Sequence, residues 1–459
     1  MAVDSIDQCR AATSPRQPSL RDRAYRLPAF GVVLVVTVVA LEAMSVATVM
    51  PTVVRSLHGL RFYGWAFTGF FLTDIVGMVD AGRRTDRCGP RGSLVGGLVL
   101  FAVGLLIASA APNMAVFIAG RGLQGLGAGS MIVAVYVVVA RAFPTELRPR
   151  AFAALSAAWV VPALVGPVAA GAVTAAFGWR WVFVGIAPLA ALGAVMLVPV
   201  LRALPPTQPS ATRPRLGPLG GVLLAAGLAG LQAAGTERNW SAVALAVVGP
   251  AVALSLLRRL LPAGSLRLAR GLPTVVVLRG LLSGAFFGAE AYLPLTLTRL
   301  HHGTPAVVGI PLTLGALGWS VGSWWQGRHG TGPHRTRLLT TGFIVVATAV
   351  AALTALASPA SSLWVAAPIW VLAGTGMGLA MPTLSVLTLT LSPLAEQGAN
   401  SAALQVTDVI GSVLSIAAGA TIIGALSAAR FPTAVVLLDT TLAAVALAGA
   451  AASRRAAIP

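Results

Sequence analysis

The sequence has no lysine, and its charges are few and mostly of one sign. Its 459 residues include 32 basic residues, all of them arginine, against 13 acidic ones, and only 10% of the chain is charged. Without lysine there is neither a Walker A phosphate loop nor a lysine Schiff base. The chain therefore has no ATP motor of its own. We expect it to use no cofactor and to draw its energy from a proton gradient.

Cysteine and histidine are also scarce. The two cysteines, Cys9 and Cys88, both fall on the expected cytoplasmic side, so no disulfide is implied. All five histidines fall in predicted loops, and no His, Cys or H-E-x-x-H cluster occurs in an apolar run. We therefore expect no metal site and no enzymatic activity.

The abundant residues are apolar ones. They make up 57% of the chain, whose mean hydropathy is +0.86. Soluble domains carry about 25% charged residues, and a run of about 19 apolar residues is long enough to cross a bilayer. The arginines lie between such runs, so the net charge of +19 indicates a bilayer and not nucleic acid as the partner. The sequence predicts an all-α polytopic membrane protein.

Fourteen apolar runs predict fourteen transmembrane helices. The first six cover residues 28–201, the last six cover 272–453, and two shorter runs lie between them in 217–257. Whether those two runs cross the bilayer fully is left open by their composition. The first 27 residues are polar and have no convincing cleavage site, so we expect a disordered tail and not a signal peptide. The remaining expected cytoplasmic segments are two linkers, 202–216 and 258–271, and a tail, 454–459.

The arginines indicate which way the helices run. With the N-terminus inside, 24 of the 32 arginines fall in cytoplasmic segments, six fall in external loops and two lie within helices. Positive residues concentrate on the cytoplasmic side of membrane proteins. We therefore expect a multi-pass protein of the plasma membrane with both termini in the cytoplasm.

The segment Gly82–Arg91 reads G-R-R-T-D-R-C-G-P-R and lies between the second and third apolar runs. A basic hairpin there is enough to fix topology by itself. Its residue order is more specific, because it resembles the G-x-x-x-D-R-x-G-R-[RK] signature of the major facilitator superfamily. Pro90 replaces the first basic residue after the glycine. The resemblance implies a conformational motif that braces helix 2 against the second half, formed by Gly82, Asp86, Arg87, Gly89 and Arg91.

Two further motifs carry the same resemblance. Arg121 and Gln124 belong to a segment that is similar to the superfamily's R-x-x-Q-G-x-G motif. Gly166 and Pro167 belong to one that resembles the antiporter motif G-x-x-x-G-P-x-x-G-G, with two glycines replaced. Glycine-proline pairs also kink and pack helices, so a purely structural role fits equally well. The resemblance extends to the fourteen-span drug:proton antiporters.

The two halves of the chain repeat each other. Glu42 and Glu290, each followed by alanine, lie 248 residues apart, and two Gly-x-Gly segments of helices 4 and 12 lie 249 apart. Parallel halves of this kind match the major facilitator architecture. We therefore predict two six-helix bundles joined by two inserted helices, which we expect to lie outside the bundles.

Glu42 is the first candidate for proton coupling. By helix rise, it and Arg121 lie at a similar depth, with Arg121 about 10 Å in from the outer end of helix 4. In the superfamily an acidic residue of helix 1 and this arginine form a proton-sensitive couple. Burial raises the pKa of a carboxyl group and a nearby arginine lowers it, so such a group carries protons well. Asp74, near the midplane of helix 2, is the rival, and a structural Arg121 is the plainer alternative.

The second half carries its own intramembrane charges. Arg279 and Asp408 lie at similar depths and would be structural if they paired. Glu290 has no arginine at its level, which makes it the better candidate for a residue that faces a cation. The peripheral Asp439 is left unassigned. The expected substrate cavity is lined by Glu290, Gln124, Asp408 and Phe286.

Together these features predict a proton-coupled antiporter that exports amphipathic, drug-like small molecules by alternating access. Multidrug efflux and antibiotic resistance follow from that activity. We expect it to work as a monomer. A nutrient importer or uniporter of the same superfamily is the alternative, because proton-linked uptake uses many of the same parts. A membrane enzyme, a receptor or a channel fits the motifs less well.

Overall fold

The computed structural model of the protein describes most of the chain. The described stretches are 22–144, 158–203, 218–234, 240–329, 334–358, 360–393, 397–426 and 428–456, with residues 20, 147, 151, 154 and 155. The side chains of a few residues inside these stretches, Asp86 among them, lie outside the description.

The described residues form fourteen α-helices and no strand. Each helix corresponds to one of the predicted apolar runs. In chain order they are α1 (Arg23–Ser56), α2 (Tyr63–Cys88), α3 (Pro90–Ala110), α4 (Met114–Ala142), α5 (Val160–Phe177), α6 (Arg180–Ala203), α7 (Pro218–Ala234), α8 (Trp240–Leu260), α9 (Leu272–Leu300), α10 (Pro305–His329), α11 (His334–Ala352), α12 (Ala366–Leu391), α13 (Gln397–Ala425) and α14 (Phe431–Ala452).

Length and composition suit most of these helices to a bilayer. Within the described residues, 11 helices are long and apolar enough to cross a membrane. Two shorter apolar helices, Val161–Phe177 and Leu219–Gly230, lie within α5 and α7. The protein is a multi-pass, all-helical membrane protein. We call the side on which α1 begins the N-terminal face, and the side on which α1 ends the opposite face.

The predicted loop between the second and third helices is wrong. Helix α2 continues to Cys88, so Gly82–Cys88 is helical, and the connection to α3 is the single residue Gly89. Gly89 has φ 81, a conformation that glycine adopts without strain, and Pro90 then occupies the first turn of α3, where proline is tolerated. Arginine is a good helix former, and the ion pair between Asp80 and Arg84, one turn apart, supports the helix here.

Three predicted segment bounds change in the same direction. Helix α1 begins at Arg23, so the expected tail of 27 residues is shorter by five. Helix α8 runs to Leu260, into the expected linker 258–271. A 3-10 turn, Ser453–Ala456, continues from α14 into the expected C-terminal tail. Residues 1–19, 204–217 and 457–459 lie outside the described residues.

The repeat seen in the sequence is present in the packing. In the first set of helices, a Cβ on Gly127 of α4 would lie 2.5 Å from the carbonyl oxygen of Gly97 in α3. In the second set, a Cβ on Gly376 of α12 would lie 2.7 Å from the carbonyl oxygen of Gly342 in α11. Such distances are shorter than any real side chain tolerates, so the glycines let equivalent helix backbones touch in both sets.

The two sets of helices meet on the opposite face. A Cβ on Gly309 of α10 would lie 2.5 Å from the carbonyl oxygen of Pro167 in α5. The Tyr63 hydroxyl of α2 donates a 2.6 Å hydrogen bond to the carbonyl oxygen of Ala291 in α9. These contacts lie near the ends of the helices at which α1, α5 and α9 finish. The structure is therefore closed on the opposite face.

Helix α7 lies along the seam between the two sets. It packs against α2 of the first set and against α13 of the second, and α8 packs on α7. Their apolar contact is a cluster of Leu72 and Ile75 in α2, Leu224, Ala225 and Leu228 in α7, Ala253 in α8, and Val406, Val409, Ile410 and Val413 in α13. The inserted pair of helices thus contacts both sets through α7.

Candidate functional site

The structure brings the two predicted coupling residues together. Arg121 of α4 donates a hydrogen bond from Nη1 to Glu42 Oε1 of α1, and the two form an ion pair. Both side chains are buried, with 0% of Glu42 and 3% of Arg121 exposed. A charge in an apolar interior is very costly unless it is paired and hydrogen-bonded. The pair therefore depends on both members.

Arg121 has partners besides Glu42. Its Nη1 also donates to Gln124 Oε1, one turn along α4. Its Nε donates a 3.1 Å hydrogen bond to the carbonyl oxygen of Ala66 in α2. Its guanidinium carbon lies 4.5 Å from the centre of the Phe70 ring, a cation–π geometry. The arginine thus ties α1, α2 and α4 together and keeps some partners if the glutamate is neutralised.

The acidic side of the pair is less well satisfied. Glu42 Oε2 and Gln124 Nε2 are buried and have no hydrogen-bond partner. A buried polar atom without a partner costs free energy, and such atoms in native proteins mark strain, an ordered water or function. One oxygen of the Glu42 carboxylate is therefore left unsatisfied in the interior.

Asp74, the rival carboxylate, is placed differently. It lies in α2 with 6% of its surface exposed. A Cβ on Gly129 of α4 would lie 2.8 Å from Asp74 Oδ1, so the carboxylate faces that helix. Among the residues that the structure describes, it has no ion pair. Asp74 and the Glu42–Arg121 pair therefore both lie where α4 packs on its neighbours.

The second set of helices contains the other predicted pair. Arg279 Nε of α9 donates a 2.7 Å hydrogen bond to Asp408 Oδ1 of α13. Asp408 also accepts a hydrogen bond from the Ser283 hydroxyl, and Arg279 donates to Ser385 Oγ at 3.3 Å and Gln405 Oε1 at 3.5 Å. This pair is wetter than the first, because 9% of the arginine side chain and 21% of the aspartate side chain are exposed.

A residue of the first set faces this pair across the seam. Tyr136 of α4 lies close enough to Arg279 and Asp408 for their charges to act on it. Its side chain is 39% exposed. The pair and Tyr136 lie toward the N-terminal face, away from the contacts that close the opposite face. Polar groups of both sets therefore meet at the seam, on the side of the N-terminal face.

Glu290 and Phe286, both in α9, have very different surroundings. Glu290 is half-buried, and among the described residues it forms no ion pair. Phe286 is buried, stacks on Trp370 with ring centres 4.9 Å apart, and meets Trp319 edge to face at 5.7 Å. The glutamate is thus without a charged partner in the described residues, whereas the phenylalanine lies in an aromatic cluster within the second set.

The predicted conformational motif lies at the N-terminal face. Asp80 and Arg84 form an exposed ion pair of 2.8 Å within α2, one turn apart. Arg87 and Arg91 are exposed, while Gly82 has no atom close to where its Cβ would be. The side chain of Asp86 lies outside the described residues, so its bracing role stays a prediction.

The antiporter-like motif lies on the seam. This segment contacts α10 directly. A Cβ on Gly309 would lie 2.5 Å from the carbonyl oxygen of Pro167, and a Cβ on Gly171 would lie 2.5 Å from that of Pro305. Gly166 faces α1 instead, because a Cβ on it would lie 3.2 Å from Met44 Cβ. The motif therefore forms a contact between the two sets of helices on the opposite face.

Sequence reasoning missed several polar partners. No motif marks the polar partners Ser283, Ser385 and Gln405. Only the rotation of their helices places them around the Arg279–Asp408 pair. Two of the four tyrosines in the chain, Tyr63 and Tyr292, meet at the opposite face with ring centres 5.4 Å apart. The hydroxyl group of a buried tyrosine usually finds a hydrogen-bond partner, which is a signal that the sequence does offer. No group of three or more His, Cys, Asp or Glu side chains converges within the described part of the chain.

Comparison with known proteins places these features in a family. A family model described as Major Facilitator Superfamily matches residues 32–416. The chain belongs to the major facilitator superfamily. The matched region contains Glu42, Arg121, Arg279 and Asp408. Members of this superfamily and the relatives found are transporters and not enzymes.

Curated relatives include a protein named as a probable efflux transporter. The chain is 29% identical over 403 residues to a probable multidrug-efflux transporter of Mycobacterium tuberculosis, covering 79% of this chain and 80% of the relative. It is 32% identical over 211 residues to the transporter of the acurin A biosynthesis cluster of Aspergillus aculeatus, covering 44% of this chain and 38% of the relative.

Solved structures share the fold. A peptide transporter of the POT family, bound to a thioalcohol-conjugated peptide, superposes with a TM-score of 0.70 at 15% identity, covering 92% of this chain and 94% of that one. The human organic anion transporter TETRAN superposes with a TM-score of 0.63 at 14% identity, covering 93% and 99%. Such low identity supports the fold alone.

Proposed function

We propose that this transporter is a proton-coupled antiporter of the fourteen-span type, which exports amphipathic small molecules across the plasma membrane. The observation that carries the proposal is the buried pair of Glu42 and Arg121, in which one carboxylate oxygen has no partner. The relatives named as probable multidrug-efflux transporters support the direction of transport. The distribution of arginines supports a cytoplasmic N-terminal face and cytoplasmic termini.

The cycle follows from the partners of Arg121. In the state closed on the opposite face, the arginine holds Glu42 as a carboxylate. When the opposite face opens, water brings a proton to that carboxylate. Protonation neutralises Glu42, and the ion pair with Arg121 is broken. Arg121 then keeps Gln124, the Ala66 carbonyl and the Phe70 ring, so the neutral site is tolerated and the protein closes again. Opening of the N-terminal face releases the proton to the cytoplasm.

The substrate contacts lie in a different place. Glu290, with no ion pair among described residues, offers a negative charge to a cationic substrate, and the Arg279–Asp408 pair with Tyr136 offers hydrogen bonds toward the cytoplasm. Proton and substrate need not touch, because both act on the equilibrium between the two open states. We propose that two six-helix bundles rock about the seam, as a monomer and without a cofactor.

The test is transport by purified protein in liposomes. A pH-sensitive dye inside the vesicles reports proton movement when a lipophilic cation, a zwitterion or a neutral drug is added outside. We expect a cation to drive proton movement in the wild type. In Glu42→Gln, we expect proton-driven accumulation to be lost while downhill exchange of the same substrate persists. Asp74→Asn is the matched comparison, because it removes the rival carboxylate from α2.

Three results contradict parts of the proposal. Normal pumping by Glu42→Gln together with failure of Asp74→Asn assigns the proton to α2. Loss of downhill exchange in Glu42→Gln, with folded protein, makes the residue part of substrate binding or of packing. Substrate movement that never displaces protons in the wild type favours the alternative, a uniporter or importer.

A further inference from the structure

Helix α7 carries one polar side chain into the closed seam. Gln232 lies near the end of α7 on the opposite face, and 0% of its surface is exposed. Its neighbours along the helix on this side, Leu224, Ala225 and Leu228, are apolar. Neither its Oε1 nor its Nε2 has a hydrogen-bond partner. A primary amide has two donors and an acceptor with two lone pairs, so all of its hydrogen-bonding capacity is unmet.

The amide lies where the two sets of helices meet. A Cβ on Gly64 of α2 would lie 2.9 Å from Gln232 Nε2, 2.9 Å from Ala420 Cβ of α13 and 3.2 Å from the Tyr292 hydroxyl of α9. The Tyr292 hydroxyl donates a 2.6 Å hydrogen bond to the carbonyl oxygen of Ile416. Four helices from three parts of the chain therefore converge on the space beside Gly64.

We infer that Gln232 is a positioning residue of the transport cycle, and that its buried amide weakens the closure of the opposite face. The amide is dry only while α2 and α13 are together, and separation of these helices admits water to it. A buried polar group without a partner carries its full desolvation penalty. The inserted helix thus destabilises the closed state by a desolvation penalty that disappears when the opposite face opens. This penalty brings the free energies of the closed and open states closer together.

This inference rests on the proposed alternating access, but its test needs neither substrate nor proton gradient. The distance between the two sets on the opposite face is measured by pulsed electron resonance, with spin labels on cysteines at Ala115 of α4 and Ser358 after α11. Both residues are exposed. The background carries Cys9→Ser and Cys88→Ser. The proposed function can fail, for example as a uniporter, without affecting this distance.

Gln232→Leu keeps the size of the side chain and removes the amide. We expect the ratio of open to closed opposite face to fall by roughly 5- to 150-fold, the range that corresponds to one unmet buried polar group. Thermal stability should stay at or above that of the wild type, because no hydrogen bond is lost. The matched control is Gln326→Leu, the same change at a buried glutamine near the C-terminal end of α10, on the N-terminal face, where we expect no shift.

A second variant moves the equilibrium the other way. Gly64→Ala places a methyl group against Ala420 and the Gln232 amide, and because Ala420 has no flexible side chain, α2 and α13 must separate. We expect the open fraction to rise. The inference is overturned if Gln232→Leu leaves the ratio unchanged or raises the open fraction, if Gln326→Leu shifts it equally, or if Gln232→Leu unfolds the protein, since the amide would then be bonded.

Discussion

The two sets of helices carry a glutamate at matching positions, and its surroundings differ between them. Glu42 is fully buried and paired with Arg121. Glu290, its counterpart 248 residues later, is half-buried and, within the described residues, has no ion pair. The second set does have a buried arginine, Arg279, but this residue pairs with Asp408 and not with the glutamate.

The difference shows which part of the repeat was kept. The close glycine contacts of α4 with α3 recur between α12 and α11, so the scaffold is duplicated. The charges are not, because Arg279 pairs with Asp408 and leaves Glu290 without an ion pair among the described residues. Under the proposed function, the buried Glu42 takes the proton and the more exposed Glu290 takes a cation.

The largest effect is expected from Arg121→Ala. It leaves Glu42 as an unpaired buried charge, and removal of one partner from a buried pair costs about 3–5 kcal/mol. We expect a clear fall in the melting temperature of the purified protein in detergent. Glu42→Gln should cost less, because Arg121 retains Gln124, the Ala66 carbonyl and Phe70.

The control for this prediction is Arg84→Ala. That arginine pairs with Asp80 in the same protein, but its side chain is 69% exposed, and exposed pairs contribute about 0–1 kcal/mol. In the double variant Glu42→Gln with Arg121→Ala, stability should partly recover. If Arg84→Ala and Arg121→Ala destabilise the protein equally, burial of the Glu42–Arg121 pair does not increase its contribution to stability.

A smaller effect is expected from Arg279→Ala. Asp408 loses its ion pair but keeps the Ser283 donor, and with 21% of its side chain exposed it can reach water. We expect a loss of about 1–3 kcal/mol, the cost of leaving a buried polar group unpartnered. Thermal unfolding beside Arg121→Ala measures the ranking. A reversed order would mean that the second pair, and not the first, is the drier one.

Much of the helical scaffold was predictable from the sequence. Each apolar run became a helix, and the depth of Glu42 and Arg121, counted along their helices, correctly placed them at one level. The family was also evident, because the motif around Arg121 is made of residue types whose roles depend on spacing within one helix. Features of this kind depend on residues that are close together in the sequence, so the sequence alone predicts them.

Other features depend on rotation and on neighbours distant in the chain. The helical continuation to Cys88 was missed because charge suggested a loop, whereas arginine is a good helix former and Arg84 pairs with Asp80 one turn away. Gln232 was not singled out, since nothing in α7 shows that its end lies beside Gly64 of α2 and Ala420 of α13. Helices that are apolar on every side give no sequence signal of the face they bury.

The smallest effect on stability, and the sharpest on selectivity, is expected from Glu290→Gln. No ion pair among the described residues is lost, so stability should change by less than about 0.5 kcal/mol. A cationic substrate, however, loses the negative charge that we propose attracts it, whereas a neutral one does not. Liposome transport should therefore show weaker uptake of the cation with unchanged transport of the neutral drug. Glu42→Gln should reduce proton-driven accumulation of both. If Glu290→Gln also affects both substrates equally, the two glutamates share one role and the contrast between the sets does not hold.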